Sequence, residues 1–129
     1  MTFISTSQWV PSLSLERMRG TIDRQIKRIG VQAVLRSDGV GDRWCWMFFS
    51  EWTPRELMAR LIEPMDRRAI ISAIDLPDAP QFGVERLVTF VQPLDMGNPV
   101  EDETLQIVDP PRRIDPGGAV LCWDCRVRQ

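Results

Sequence analysis

Histidine and tyrosine are absent from the 129 residues of this chain. Without imidazole there is no Ser–His–Asp triad, no His-ligated metal and no imidazole acid–base catalyst. Lysine occurs once, as Lys27, beside fifteen arginines, so nearly every cation is a planar guanidinium. Such groups suit bidentate pairing and subunit contacts, although genome composition also produces the same skew. Cysteine occurs three times, at Cys45, Cys122 and Cys125. An odd count cannot pair fully within one chain and is too sparse for a disulfide scaffold, which points to a reducing compartment. No apolar run approaches the roughly 18 residues a membrane helix requires. The opening MTFISTSQWVPS lacks the basic and apolar segments of a signal peptide. Together these absences predict a soluble domain that is not an enzyme, with no catalytic residue, no cofactor, no metal and no membrane partner.

What is present is ordinary globular material: 43% hydrophobic, 26% charged and a net charge of −2. The length predicts one domain with a core of its own, and the balance does not advertise nucleic-acid binding. Residues 1–12 carry Ser, Thr and Pro around isolated Phe3, Ile4, Trp9 and Val10, a texture that predicts an extended N-terminal arm. From 13 to 29, Leu15, Met18, Ile22, Ile26 and Ile29 recur at spacings of three and four, which predicts a helix.

Beyond Gly30 the pattern changes to short strands, and 31–128 reads as the β part of the same single domain, 13–129. VQAVLR ends in the turn Ser37-Asp38-Gly39, and WCWMFF (44–49) is apolar on both faces, as in a strand covered on both sides. Thr53-Pro54-Arg55-Glu56 is a capping box that opens a second helix of about two turns, stopped by Pro64. Residues 67–74, 85–91, 103–108 and 119–128 read as strands, separated by the loop DLPDAPQ, the polar stretch 93–102 and a projecting Pro/Gly turn. The expected class is mainly β: a small barrel or sandwich of about six strands, with an N-terminal helix and a short second helix.

Local motifs bring little chemistry. Cys122-Trp123-Asp124-Cys125 has CxxC spacing but lies in a strand pattern, without the helix of a redox motif or the second ligand pair of a zinc site. Gly39-Val40-Gly41 and Gly117-Gly118 lack the context of a phosphate loop. The acidic residues Asp95, Glu101, Asp102 and Glu103 have the composition of a solvated loop or a weak cation site. Trp9, Trp52 and Trp123 fall beside loop signals or on an expected edge, where aromatics mark contacts. Arg112, Arg113, Arg126 and Arg128 add cations to the same C-terminal region.

From Glu63 onward the order of pieces resembles the head-completion proteins of tailed bacteriophages. These are also called head-closure or stopper proteins, and related ones occur in phage-like gene transfer agents. The resemblance rests on Pro64-Met65-Asp66-Arg67-Arg68 leading into AIISA, on Glu85-Arg86-Leu87-Val88, and on Thr104–Val108. Asp115-Pro116-Gly117-Gly118 and the closing Ala119–Arg128, ending Arg126-Val127-Arg128, complete it. It covers roughly the C-terminal half.

The resemblance implies a homo-oligomeric ring, a hexamer or dodecamer, in the virion neck. The ring would join the portal or adaptor protein to the tail or tail terminator, assemble in the host cytoplasm, and hold packaged DNA only as channel contents. It further implies that Asp95, Glu101, Asp102 and Glu103 face the channel, where carboxylates let DNA slide. Trp9, Trp52, Arg112, Arg113, Trp123, Arg126 and Arg128 would make subunit or partner contacts. Two alternatives stand beside it: a stand-alone barrel binding nucleic acid through an Arg/aromatic groove, and a tail terminator or adaptor of the same neck.

Overall fold

The computed structural model of the chain describes residues 3–59, 65–95, 97–115 and 118–129. Among these, the elements run α1 (Phe3–Ile29), β1 (Val31–Ser37), β2 (Val40–Ser50), α2 (Pro54–Ala59), β3 (Arg67–Ser72), β4 (Arg86–Phe90), β5 (Glu101–Ile107), β6 (Arg112–Ile114) and β7 (Cys122–Arg128). All pairings are antiparallel. The strand order β3-β2-β1-β4-β5-β7 closes on itself through β3–β7, which makes a six-stranded barrel with β6 appended to β7. Closure removes the exposed edges that an open sheet would carry.

Alternation decides which side chains fill the barrel. Ala33, Leu35, Cys45, Met47, Ala69, Ile71, Leu87, Leu105, Ile107, Trp123, Cys125 and Val127 belong to one core, each no more than 7% exposed. Every one projects to the inner side of its strand, at period two. Trp123 reaches across this core and donates its indole N–H to the Leu76 carbonyl at 2.9 Å. Outside the wall, Val34, Val88 and Phe90 form a second, smaller cluster with Leu94.

Helix α1 lies against β2, β3 and β7. Its buried face differs from the apolar stripe that the spacing predicts. Ile26 is buried, but Met18 and Ile29 are exposed, and the charged Asp23 takes a place on the packed side. Asp23 accepts the Ser72 hydroxyl at 2.5 Å, and Lys27 bridges Asp23 and Asp75 at 3.1 and 2.9 Å. Polar groups can dock this helix because the end of β3 presents a hydroxyl and a carbonyl, the latter bound by Arg19 at 3.3 Å. Gly30 then lets the chain turn into β1: a Cβ there would lie 2.3 Å from the Met47 carbonyl oxygen and 2.5 Å from that of Ile26.

Several boundaries depart from the sequence pattern, among them the start of the last strand at Cys122 in place of 119. Residues 3–12 continue α1 instead of forming an extended arm, because a helix already nucleated and docked adds residues at little cost. Strand β2 begins at Val40, so the hairpin turn is as short as Ser37-Asp38-Gly39 allows, with Gly39 at φ +82°. Strand β5 starts at Glu101, two residues inside the stretch expected to be polar loop. The projecting turn contains β6, three residues that pair with Asp124–Cys122.

Candidate functional surfaces of the barrel

The antiparallel connections give the barrel two distinct ends. The β1–β2 turn and the 73–85 connection lie at one, which we call the hairpin end. The α1–β1, β2–α2 and β4–β5 junctions lie at the other, the helix end. Each end is closed by an ion pair on the inner side of the wall. At the hairpin end Arg43 binds Glu85 through two bonds of 2.9 and 2.5 Å and donates to the carbonyls of Asp78 and Ala79. Glu85, 5% exposed, also accepts the Gln81 N–H at 2.9 Å. At the helix end Arg67 lies over the Phe49 ring at 4.5 Å and binds Glu103 at 2.5 Å. The interior is thus a packed core capped by charge, and nothing the size of a nucleic acid strand passes through it.

A second set of arginines ties the outer face of β3 to that of β7. Arg68 makes a two-pronged pair with Asp124, at 3.1 and 3.0 Å, and reaches Glu56 at 3.3 Å while lying over Trp52. The Thr53 hydroxyl, 2.9 Å from Glu56, holds that carboxyl below the usual carboxylate range. Asp66, with a fully buried side chain, accepts from Arg126 Nε at 2.5 Å and Arg128 Nε at 2.6 Å. Arg126 also meets Asp109 at 3.4 Å. Bidentate and shared guanidinium pairs of this kind rigidify a wall more than single lysine pairs would.

These pairs redistribute the residues singled out from sequence. Arg126 and Arg128 are engaged inside the chain, and Trp123 belongs to the core, so the Arg/aromatic groove of the nucleic-acid alternative is not assembled. Arg113 is bound to Asp115 at 2.7 Å, Arg112 is exposed, and Trp52 is half-buried beneath Arg68. The side chain of Trp9 lies outside the described residues. The four acidic residues do not form one loop: Glu101, Asp102 and Glu103 are strand residues of β5. Glu101 is paired with Arg36, and Glu103 with Arg67. Asp95 closes an Asx turn onto the Gly97 N–H at 3.0 Å. Of these four, Asp95 and Asp102 are the exposed carboxylates without an ion pair among the described residues.

Three features escaped the sequence pattern. Trp44, 43% exposed, stacks on Phe90 at 5.3 Å, although both faces of its strand were expected to be covered. Exposed apolar side chains lie on segments at both barrel ends, Ile29, Phe49, Met65, Val91 and Val100 at the helix end and Ile74, Phe82 and Val84 at the hairpin end, while Met18 and Met58 are exposed on the helices. A cleft of about 430 Å³ opens on the outer wall, bounded by Arg36, Asp38, Arg86, Gln106 and the 83–85 segment, so its lining carries the carboxylates of Asp38 and Glu85 as well as two guanidiniums. Only the register of the strands could have located it.

Burial disfavours the thiolate form of all three cysteines. It pushes Cys45 up to about 12 and Cys122 to about 11, and raises Cys125 as well. Among the described residues no group of three metal-ligating side chains converges, and no helix is long and apolar enough to cross a membrane. Comparison with protein-family models, curated proteins and solved structures finds no match to this chain.

Proposed function

We propose that this protein is a structural component of a phage-type neck, a stopper-like subunit that assembles into a homo-oligomeric ring between the portal or adaptor and the tail. The observation that carries this reading is the pair of apolar ends. Ile29, Met65 and Val100 are 64%, 69% and 57% exposed at one end, and Phe82 and Val84 are 49% and 55% exposed at the other. Solvated apolar groups at opposite poles suit a subunit with partners above and below it. The closed barrel fits the same role, because contacts are then made by side-chain faces and not by runaway strand addition. DNA would occupy a channel between subunits, since each barrel is filled. The resemblance of 63–128 to head-completion proteins supplies the specific place in the virion, and the tail-terminator position remains the alternative within that neck.

The test is deletion of the gene in cells that produce the particles. DNA-filled heads that lack tails and lose their genome are expected, together with a fixed copy number of this protein in wild-type particles. Normal tailed particles after deletion would refute the reading. So would absence of the protein from particles combined with salt-dependent binding of single-stranded DNA by the isolated monomer.

A further inference from the structure

Helix α1 presents two unlike faces. Ile26 and Asp23 are buried against the barrel, Arg19 donates to the Ala73 carbonyl, and Lys27 is held between Asp23 and Asp75. On the opposite side Arg17, Thr21, Arg24 and Arg28 are all exposed. Their spacings of four, three and four place them within an arc of about 60° and along roughly 16 Å of the helix axis. Thr21 joins the row together: its hydroxyl donates to the Arg17 carbonyl at 2.9 Å and accepts from Arg24 at 3.2 Å. None of the three arginines has an ion pair among the described residues.

The carboxylates of α1 lie away from this row. The helix carries two, Glu16 and Asp23. Asp23 is turned into the barrel, where it meets Ser72 and Lys27. Glu16 is exposed on the flank, and its neighbours one turn on, Arg19 and Gly20, are outside the stripe. The stripe therefore has a local positive field although the whole chain carries −2. It contains no apolar side chain, since Met18 and Ile29 lie to one side of it, whereas a protein interface needs an apolar centre. A phosphate backbone asks only for cations and donors, which guanidiniums supply two at a time. A preordered row of charges also suits a stiff duplex better than a single strand, which would have to be ordered on binding. We infer that this face of α1 binds the phosphate backbone of duplex DNA without reading its sequence. The inference concerns the isolated chain and stands independently of the neck reading.

The test is fluorescence anisotropy of a labelled duplex of mixed sequence, titrated with the full chain at several salt concentrations. Three phosphate contacts predict a slope of about −2.7 in log K against log salt, a loss of about 40-fold between roughly 50 and 200 mM. Arg17→Gln, Arg24→Gln and Arg28→Gln should each make the slope shallower by about 0.9. The triple variant should lose binding while its circular dichroism and melting temperature stay those of the parent chain, because all three side chains are exposed. Arg86→Gln, on the barrel wall, should leave the slope unchanged. Equal duplex binding by the triple variant would overturn the inference, as would no measurable binding at about 50 mM salt or a slope shallower than about −1. Tighter binding of a polyglutamate peptide, or of vesicles rich in phosphatidylserine, than of the duplex at equal salt would overturn it too, by assigning the face to an acidic protein or a membrane.

Discussion

Asp66→Asn separates an arginine lattice that holds the barrel shut from one that merely decorates it. The Asp66 side chain is wholly buried and serves two guanidiniums, Arg126 at 2.5 Å and Arg128 at 2.6 Å. The amide preserves shape but offers one acceptor in place of two charged oxygens and turns an NH2 group towards a cation. Breaking a buried ion pair by removing one partner costs about 3–5 kcal/mol. The Arg126 side chain is 14% exposed and that of Arg128 31%, so water recovers part of the loss. The net is about 3 kcal/mol, equivalent to a fall of roughly 11 °C in melting temperature for a domain of this size. Urea unfolding followed by tryptophan fluorescence reads it as a lower midpoint with unchanged slope. Arg128→Gln alone should cost about 1 kcal/mol, and the double variant should cost less than the sum by about 1 kcal/mol. A penalty for Asp66→Asn below about 0.5 kcal/mol, or strict additivity, would refute the claim that this pair fastens β3 to β7.

Gly30→Ala should cost about 3 kcal/mol, because the added Cβ meets two backbone carbonyl oxygens at 2.3 and 2.5 Å and the α1–β1 junction has to shift; thermal unfolding monitored by circular dichroism checks it. Trp123→Phe should cost about 2 kcal/mol in the same measurement, since it leaves the Leu76 carbonyl without its buried donor, and partner binding should be unaffected. The three buried thiols should resist a thiol reagent at pH 8 until denaturant is added. Because their pKa values are raised in the fold, the folded state holds its thiol protons after the unfolded chain releases them near pH 9. Stability should therefore be constant below that pH and fall above it, by at most about 1.4 kcal/mol per pH unit for each thiol. A melting temperature that is flat from pH 8 to 10.5 would contradict this.

Strand content was legible wherever period-two alternation coincided with turn residues. RRAIISAI, ERLVTFV and AVLCWDCRVR contain β3, β4 and β7, the last beginning only at Cys122, and Ser37-Asp38-Gly39 made the first hairpin. The number and spacing of those strands pointed to a small barrel or sandwich, and the β3–β7 pairing is what makes it a barrel. Legibility failed where partners distant in sequence decide the outcome. Nothing local to Asp66 says that it will be buried under arginines sixty residues away, nor that Asp23 will replace an apolar residue on the packed face of α1. The candidate sites suffered most. Trp123 has the flanks of an edge residue but the position of a core residue, because β3 covers one side of its strand while β5 and β6 share the other. Glu101 and Glu103 looked like free loop charge until β5 began early and set them beside Arg36 and Arg67.

The arginine excess consequently acquires a different meaning. Arg36, Arg43, Arg67, Arg68, Arg113, Arg126 and Arg128 each meet a carboxylate of the same chain. A guanidinium already sharing its donors with a well-placed carboxylate gains little from a second partner and would lose the first one on exchange. On the proposed neck reading, interfaces between copies of this chain, or with other ring proteins, are then expected to rest on apolar contact at the barrel ends and on arginines with no ion pair among the described residues, such as Arg86. That allocation has a consequence for assembly. Contacts dominated by Ile29, Met65, Val100, Phe82 and Val84 should tolerate high salt and weaken on cooling, as apolar burial does. A ring held by arginine–carboxylate pairs would behave in the opposite way and dissociate as ionic strength rises. Sedimentation of assembled rings at low and at molar salt distinguishes the two: survival at high salt is the outcome required if the lattice of ion pairs serves the barrel and the apolar ends serve its partners.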